Sequence, residues 1–264
     1  MKIGIIGFGI VGKAMQVGFK KLDYIVKIHD IILDTNISDV LDTDIVYVCV
    51  PTPSAKDGSC DTSIVEQVVR ELKELNYSNI IAIKSTCIPG TTQKLIDRYN
   101  DKILFVPEFL KERSAEYDFI HNHNLLCIGS HNVNYAYIVE ISHGTYPKQV
   151  IRVTPTEAEL IKYMHNSFGA MRVNFANEYF ELCEKLNQNY DTVKRVFIAK
   201  NKLPDEYLDV KPELRGFGGA CLPKDMQAIN RFMQQELGLP YKLWETILED
   251  NDKFRRTTFK GMRQ

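Results

Sequence analysis

Short apolar runs alternate with stretches of helical periodicity through the first half of the chain. The apolar runs predict strands at 2–6, 24–29, 45–50, 80–84, 103–106 and 125–129. The periodic stretches predict helices at 13–22, 63–75, 91–99 and 132–141. Strands that alternate with helices are typical of a parallel sheet covered by helices on both faces. The first half therefore predicts a doubly wound α/β domain.

The pattern changes to long helices after Pro155. The stretch from 157 to about 189 contains no proline, which predicts one uninterrupted helix. Glu157 and Glu159 are placed in its first turn, where acidic residues are favourable. Its apolar residues recur at helical spacing, which predicts one long and largely buried helix. They are Leu160, Met164, Phe168, Met171, Phe175, Tyr179 and Leu182. Shorter helices are predicted at 192–199, 223–237 and 240–256. We expect two domains, 1–153 and an all-helical 154–264.

Composition and charge limit the possible partners of the protein. The 264 residues include 33 lysines and arginines and 34 aspartates and glutamates, so no overall positive field would attract nucleic acid or an acidic membrane. The apolar N-terminal run is broken by glycines and is too short to cross a bilayer. The six cysteines form no CxxC pair, and His121 and His123 are interpreted as part of a polar loop, not a metal site. We expect a cytoplasmic protein that binds anions locally.

Glycines at 7, 9 and 12 form a GxGxxG motif between the first strand and the first helix. These glycines permit a tight turn, close approach of a pyrophosphate, and close packing of the helix on the strand. Asp30 ends the next strand, where a carboxylate binds a ribose 2′-hydroxyl and repels a 2′-phosphate. The pattern favours NAD over NADP in a Rossmann-type domain, and the helical second half fits a dehydrogenase better than an FAD protein. The residues predicted to bind NAD here are Gly7, Phe8, Gly9, Ile10, Val11, Gly12 and Asp30.

Three further segments carry polar groups at positions suited to a site. KSTCIPGTT (84–92) follows a strand and places hydroxyls at the carboxyl edge of the sheet, and the alternative is that Ser85 and Thr86 form a turn and a helix cap. In PEFLKE (107–112), Glu108 and Glu112 are four residues apart, a spacing that is also common on solvated helix faces. Lys162 and Asn166 have the same spacing on the long helix, where an ammonium and an amide could stabilise an oxyanion.

The segment GFGGACLPKD (216–225) is the most distinctive in the chain. Its glycines allow close approach of a ligand, and Pro223 is typical of a first helical turn. Cys221 then lies near a helix N-terminus with Lys224 nearby, and both features favour the thiolate. Asp225 could orient a water molecule or take a proton.

In this order, the segments resemble the UDP-glucose and GDP-mannose dehydrogenase family. The resemblance includes GFGIVG (7–12), VPTP (50–53), KSTCIPGTT, PEFLKERSAEYDF (107–119), the helix with Lys162, Asn166, Asn177 and Glu178, and GFGGACLPKD. It implies a four-electron oxidation of a nucleotide-sugar C6 alcohol to a carboxylate, with two NAD per turnover. It also implies a homodimer built on the long helix.

The family resemblance further implies a role for each matching residue. Cys221 would be the nucleophile, and Lys162 with Asn166 would stabilise the oxyanion. Asp225, Thr86 and Glu112 would manage water and protons. Further contacts to the substrate would come from Glu108, Phe109, Leu110, Lys162, Asn166 and Gly218. Further contacts to NAD would come from Pro51, Thr52, Thr86, Glu112 and Lys224.

The sequence departs from the family in length. Members usually continue into a second Rossmann-like domain, whereas this sequence ends at Gln264, so we expect that domain to be missing. Two alternatives remain open. One is a β-hydroxyacid dehydrogenase of the 6-phosphogluconate type, which needs no thiol. The other is an inactive NAD-binding subunit.

Overall fold

A seven-stranded sheet forms the centre of the first of two units into which the chain divides. The computed structural model describes residues 1–219 and 221–255. The first unit comprises Met1–Pro53 and Cys60–Lys162, and the second comprises Ser54–Ser59 and the chain from Tyr163 onward. Residues 54–59 therefore belong to the second unit, although the residues before and after them in the sequence belong to the first.

The strands of the first unit follow the Ile- and Val-rich runs of the sequence. They are β1 Lys2–Ile6, β2 Ile25–His29, β3 Ile45–Val48, β4 Ile80–Ile83, β5 Ile103–Phe105, β6 Leu126–Gly129 and β7 Val150–Val153. Their order in the sheet is β2-β1-β3-β4-β5-β6-β7. The first five are parallel to one another, β6 is antiparallel to β5, and β7 is parallel to β6. The predicted parallel sheet is confirmed, and β7 is an edge strand that the sequence did not reveal.

Helices cover both faces of this sheet. They are α1 Ile10–Lys21, α2 Ser63–Glu74, α3 Thr91–Arg98, α4 Ala115–His121 and α5 Val133–Ser142. Phe19, Tyr47 and Phe119 are fully buried in the core on one face. Leu72 and Phe105 are fully buried in the core on the other. Burying both faces explains why the central strands are continuous apolar runs.

The described part of the second unit is helical. Its helices are α6 Pro155–Lys185, which begins in the first unit, α7 Tyr190–Asn201, α8 Leu222–Arg231 and α9 Leu243–Arg255. The helix predicted at 223–237 is shorter than expected, because regular α-helix ends at Arg231 and one wider turn, Phe232–Glu236, follows it. No helix in the described ranges, 1–219 and 221–255, is long and apolar enough to cross a membrane.

Helix α6 differs from its prediction. Its small and polar residues Ala170, Asn174 and Asn177 are buried, whereas a stripe of large apolar side chains is exposed. The α6 stripe consists of Leu160, Met164, Phe168, Phe175, Tyr179 and Leu182, with exposures between 41% for Phe175 and 78% for Met164. The prediction that this helix is largely buried is therefore wrong for the single chain.

Candidate functional site

The carboxyl ends of β1 to β5 meet at one edge of the sheet because these strands are parallel. Strand order reverses beside β1, which lies between β2 and β3. In open α/β sheets, ligands bind outside the carboxyl ends of the strands at such a switch point. The predicted cofactor segments that follow β1, β2, β3 and β4 all lie at this edge.

The glycine loop after β1 has the shape that a dinucleotide requires. Gly7 has φ of 92°, and a Cβ on it would lie 2.6 Å from the carbonyl oxygen of Cys49. A Cβ on Gly12 would overlap the carbonyl oxygen of Gly7. By contrast, a Cβ on Gly9 would have no neighbouring atom within 4 Å. The loop is closed on its inner side and open at the glycine that a pyrophosphate would approach, so these residues fit the predicted dinucleotide.

The Asp30 carboxylate faces this loop. Its Oδ2 accepts the backbone N–H of Phe8 at 2.5 Å, and its Oδ1 accepts that of Ile32 at 3.0 Å. Hydrogen bonds from Ile32 and Phe8 lower the pKa of Asp30 below its ordinary value. The predicted ribose-binding carboxylate is thus held ionised at the glycine loop. The flanking residues Phe8 and Val11 are half-buried, and Ile10 is exposed.

The segments that follow β3 and β4 are tied to each other. The Ser85 hydroxyl donates to the carbonyl oxygen of Val50 at 2.7 Å. Thr86 is half-buried, and its carbonyl oxygen accepts the Cys60 thiol at 3.6 Å. Pro51 is exposed and Thr52 is buried. The structure therefore brings the predicted residues 51, 52 and 86 to neighbouring strand ends.

Two lysines meet at Glu108, just after β5. Lys84 Nζ lies 2.8 Å from Glu108 Oε2, and Lys162 Nζ donates to the backbone carbonyl oxygen of Glu108 at 2.5 Å. Burial tends to raise the pKa of Glu108, but the Lys84 ammonium and the other groups that favour the carboxylate, among them the Phe109 N–H, together lower this pKa below its ordinary value. The Glu108 carboxylate is therefore ionised in the interior of the first unit.

Glu112 lies apart from this ion pair. Residues 107–111 are not helical, and the first helical turn, the 3₁₀ turn Glu112–Ser114 before α4, begins only at Glu112. The four-residue spacing of Glu108 and Glu112 therefore does not place them on one helix face. Glu112 is exposed, whereas Phe109 and Leu110 are half-buried.

In the second unit, Cys221 is the residue that precedes the first turn of α8. It is exposed and has Pro223 just after it in that turn. Asp225, one turn further, is buried at 1% exposure. Its Oδ2 accepts the Asn166 side-chain amide at 2.6 Å, and its Oδ1 lies 2.6 Å from Lys224 Nζ. The structure thus brings Asn166 of α6 to Lys224 and Asp225 in the first turns of α8.

Polar side chains fix the glycine segment that leads to Cys221. Arg215 Nε donates to Asn177 Oδ1 at 2.5 Å, and its guanidinium stacks 4.9 Å from the ring centre of Phe180. Asn251 accepts the Phe217 N–H at 2.6 Å and donates to its carbonyl oxygen at 2.9 Å. Gly218, between these anchors and Cys221, is exposed. The segment is held firmly on one side and open to solvent at the predicted substrate contact.

Sequence reasoning missed several of these residues. Lys84 and Arg215 were assigned no role, although Lys84 begins the distinctive segment 84–92 and Arg215 directly precedes the segment 216–225. His123 was placed in a polar loop, but it is buried beside Phe119 and His143, and burial lowers its pKa. His123 thus lies in the loop 122–125, as predicted, but its side chain is not exposed to solvent.

Glu159 was expected only as an acid in a first helical turn. Its buried carboxylate instead accepts Gly90 N–H at 2.6 Å, Thr92 N–H at 2.8 Å and the Thr92 hydroxyl at 2.7 Å. It therefore caps the N-terminus of α3. No signal within the helix sequence distinguishes this role, because the partners lie in a distant segment.

Comparison with known proteins gives two family matches. Residues 32–144 match the UDP-glucose/GDP-mannose dehydrogenase family, NAD binding domain, and residues 156–253 match the central domain of the same family. The two matches occur in the order of the two halves of the chain.

Individual relatives agree with these matches. The chain is 33% identical over 223 residues to the UDP-glucose 6-dehydrogenase TuaD of Bacillus subtilis (strain 168), covering 81% of this chain and 47% of the relative. It is 30% identical to a UDP-glucose 6-dehydrogenase of Rickettsia typhi, covering 82% and 51%. A solved UDP-glucose dehydrogenase from the archaeon Pyrobaculum islandicum superimposes with a TM-score of 0.88 at 27% identity, covering 97% of this chain and 68% of that one. The chain thus spans about half the length of the curated relatives it matches.

Proposed function

Because the chain belongs to the UDP-glucose/GDP-mannose dehydrogenase family, we propose that it oxidises the C6 alcohol of a nucleotide sugar to a carboxylate. UDP-glucose is the proposed substrate, and UDP-glucuronate the product. The observation that carries this proposal is the start of α8, where exposed Cys221 precedes Asp225, which is ion-paired with Lys224 and bonded to Asn166. A single alcohol oxidation needs no such thiol.

The first unit would hold NAD through the glycine loop and Asp30. When bound, NAD supplies the hydride acceptor for both oxidations. Asp30 would bind the ribose hydroxyls, as its ionised state and its place beside the Phe8 N–H favour. Pro51, Thr52 and Thr86, at the neighbouring strand ends, would line the same cofactor.

In the proposed reaction, Cys221 Sγ attacks the C6 aldehyde left by the first oxidation. The resulting thiohemiacetal loses a second hydride and becomes a thioester, so that the aldehyde is never released. One water then adds to the thioester, the carboxylate forms, and sulfur leaves as the thiol. Two hydrides leave the carbon and one water oxygen enters it.

Protein groups would stabilise the charges in these steps. Lys162 and Asn166 are the proposed donors to the oxyanion. Asp225, with Thr86 and Glu112, would orient the water and take its proton. Lys224 would contact NAD. The sugar would contact Phe109, Leu110, Gly218 and the segment at Glu108.

The count of NADH formed per sugar tests this mechanism. The 264-residue chain is supplied with limiting UDP-glucose and excess NAD, in parallel with Cys221→Ser and a matched control, Cys183→Ala, which removes a buried thiol from a packed cluster. We expect two NADH per sugar for the native chain and for the control, and loss of net carboxylate formation in Cys221→Ser.

Other outcomes would contradict this proposal. A ratio of one, or full turnover by Cys221→Ser, would contradict the thioester route and point to single-step alcohol oxidation. Measurable NAD binding without NADH formation from any nucleotide sugar would favour an inactive subunit. The cytoplasmic location remains a prediction from the sequence.

We also propose a homodimer formed through the α6 stripe. Its side chains form a row of exposed apolar surface, with Met164 at 78% exposure, and such surface is typical of an interface. Light scattering should report a dimer for the native chain and a monomer for Met164→Glu. Val133→Glu, which places the same charge at an exposed position in α5, should leave the dimer intact. A monomeric native chain would contradict the proposal.

A further inference from the structure

Lys84 is a buried cation to which the proposed reaction assigns no step. It follows β4 directly, and its side chain is only 1% exposed. An unpaired ammonium in such a place would carry a desolvation cost of several kcal/mol. The Glu108 carboxylate compensates for it, because Oε2 of Glu108 lies 2.8 Å from Lys84 Nζ.

The geometry of Glu108 suits a fixed anchor better than a mobile acid or base. Its side chain is 12% exposed. While Oε2 faces Lys84, Oε1 accepts the N–H groups of Phe109 at 2.8 Å and Leu110 at 3.1 Å. The carboxylate therefore binds the backbone that immediately follows it, and Lys84 holds the carboxylate.

The backbone carbonyl of Glu108 binds a second lysine, Lys162. The backbone carbonyl oxygen of Glu108 accepts Lys162 Nζ at 2.5 Å, and this ammonium lies 5.4 Å from the ring centre of Phe109. Both contacts depend on the conformation of residues 108 and 109. Whatever fixes the Glu108 carboxylate therefore also fixes the acceptor of Lys162.

We propose that Lys84 is a positioning residue, which acts through the Glu108 carboxylate to hold the 108–110 backbone and hence the Lys162 ammonium. This inference rests on the proposed function for the role of Lys162 toward substrate. Lys84 itself need not contact substrate or cofactor.

The other titratable groups around Lys84 are neutral near pH 7. Burial raises the pKa of Cys49 to about 12 and that of Cys127 to about 11. Burial lowers the pKa of His123, and it lowers that of His143 well below the ordinary value. The charges that act at this point are therefore those of Lys84, Glu108 and Lys162.

Removal of the Lys84 charge should change the titration of Glu108 in a known direction. Without Lys84, burial dominates and the pKa of Glu108 rises above its ordinary value. A protonated carboxyl no longer serves as an anionic anchor, so activity should fall on the acid side. The acid limb of the kcat profile should therefore move to higher pH.

Three variants of the full chain test the positioning role: Lys84→Met, Lys84→Arg and the double variant Lys84→Met with Glu108→Gln. For Lys84→Met we expect kcat to fall about 100-fold near pH 7, the scale expected for a displaced catalytic group. Its acid limb should move to higher pH, with NAD affinity unchanged. Lys84→Arg should restore part of kcat, because it keeps the cation.

The double variant separates positioning from folding. It removes both buried charges, so its melting temperature should return toward that of the native chain, while its kcat stays low. Recovery of kcat together with stability would overturn the proposal, since Lys84 would then serve only to compensate a buried charge.

Two readouts do not depend on turnover. Carbon-13 NMR should show Glu108 titrating at higher pH in Lys84→Met, and acetylation followed by mass spectrometry should show faster labelling of Lys162. A native chain that reduces no NAD would contradict the proposed function but leave these two measurements decisive. Unchanged titration and unchanged labelling in Lys84→Met would overturn the role of Lys84.

Discussion

A lysine–carboxylate pair with at least one buried partner lies in each unit, and the two pairs are anchored differently. Lys84 and Glu108 lie 2.8 Å apart in the first unit, and Lys224 and Asp225 lie 2.6 Å apart in the second. The second oxygen of Glu108 accepts backbone N–H groups of the next two residues. The second oxygen of Asp225 instead accepts one side chain, that of Asn166 on α6.

This difference indicates how each site can fail. The Glu108 anchor is local, and no single side-chain substitution elsewhere removes the donors to its Oε1. The Asp225 anchor depends on one residue that is distant in sequence. The site at α8 should therefore be more sensitive to a single mutation outside it than the site after β5.

The largest expected effect comes from Asn166→Ala. This change removes the donor to Asp225 and the proposed oxyanion donor together, so kcat should fall about 1000-fold, the upper range for loss of one such donor. Stability should fall by about 1–3 kcal/mol, because a buried carboxylate oxygen loses its partner. Steady-state kinetics and urea unfolding measure the two effects.

Asn201→Ala is the matched control for this prediction. It removes an exposed amide from α7 of the same unit, and it should leave kcat within twofold of the native value, a margin of about 0.4 kcal/mol. A native-like kcat in Asn166→Ala would show that the Asp225 anchor tolerates loss of its donor.

Glu108→Gln tests the local anchor through the pH dependence of stability. Because the pKa of Glu108 is lowered in the folded state, its stabilisation is present above the ordinary value of 4.5 and is lost as pH falls through the lowered value. The variant should be about 3 kcal/mol less stable at pH 7, where it leaves Lys84 unpaired. This difference should shrink toward zero in acid.

Urea unfolding between pH 7 and pH 3 measures the predicted difference. Glu112→Gln removes an exposed carboxylate four residues away and should change stability by no more than about 0.5 kcal/mol. An equal loss at every pH would mean that Glu108 contributes through packing and not through its charge.

The smallest expected effect separates the structural from the binding role of the glycine loop. Gly12→Ala places a methyl group against the Gly7 carbonyl, so it should destabilise the chain by about 1–3 kcal/mol. Gly9→Ala has open space at that position and should leave the melting temperature unchanged while weakening NAD binding. Calorimetry measures both quantities, and equal melting temperatures for the two variants would contradict this division.

Much of the first unit could be predicted from sequence because its signals are local. The strand at 2–6 was predicted with its observed bounds, and the NAD-binding fold and the family membership are confirmed. The edge strand β7 was missed because VIRV is half-exposed and mixes charged with apolar residues. The short helix α4 was missed because seven residues give too little periodicity to identify a helix.

Residues that act through distant partners could not be predicted. KSTCIPGTT drew attention to Ser85 and Thr86, whereas Lys84 looked like an ordinary lysine at a strand end. Burial of its charge depends on Glu108, which follows another strand, β5. The exposure of Met164 was missed for a related reason, since periodicity shows that a helix has an apolar face but not what covers that face.

The cap that Glu159 provides to α3 has a consequence for the spacing of the α6 sequence. Glu159 and Lys162 are three residues apart, and each is bound to a different strand-end segment of the first unit, at Gly90 and Thr92 for one and at Glu108 for the other. One inserted residue between them would turn the rest of the helix by about 100° about its axis. The number of residues between Glu159 and Lys162 should therefore be fixed, whereas the side chains of the two residues between them can be exchanged.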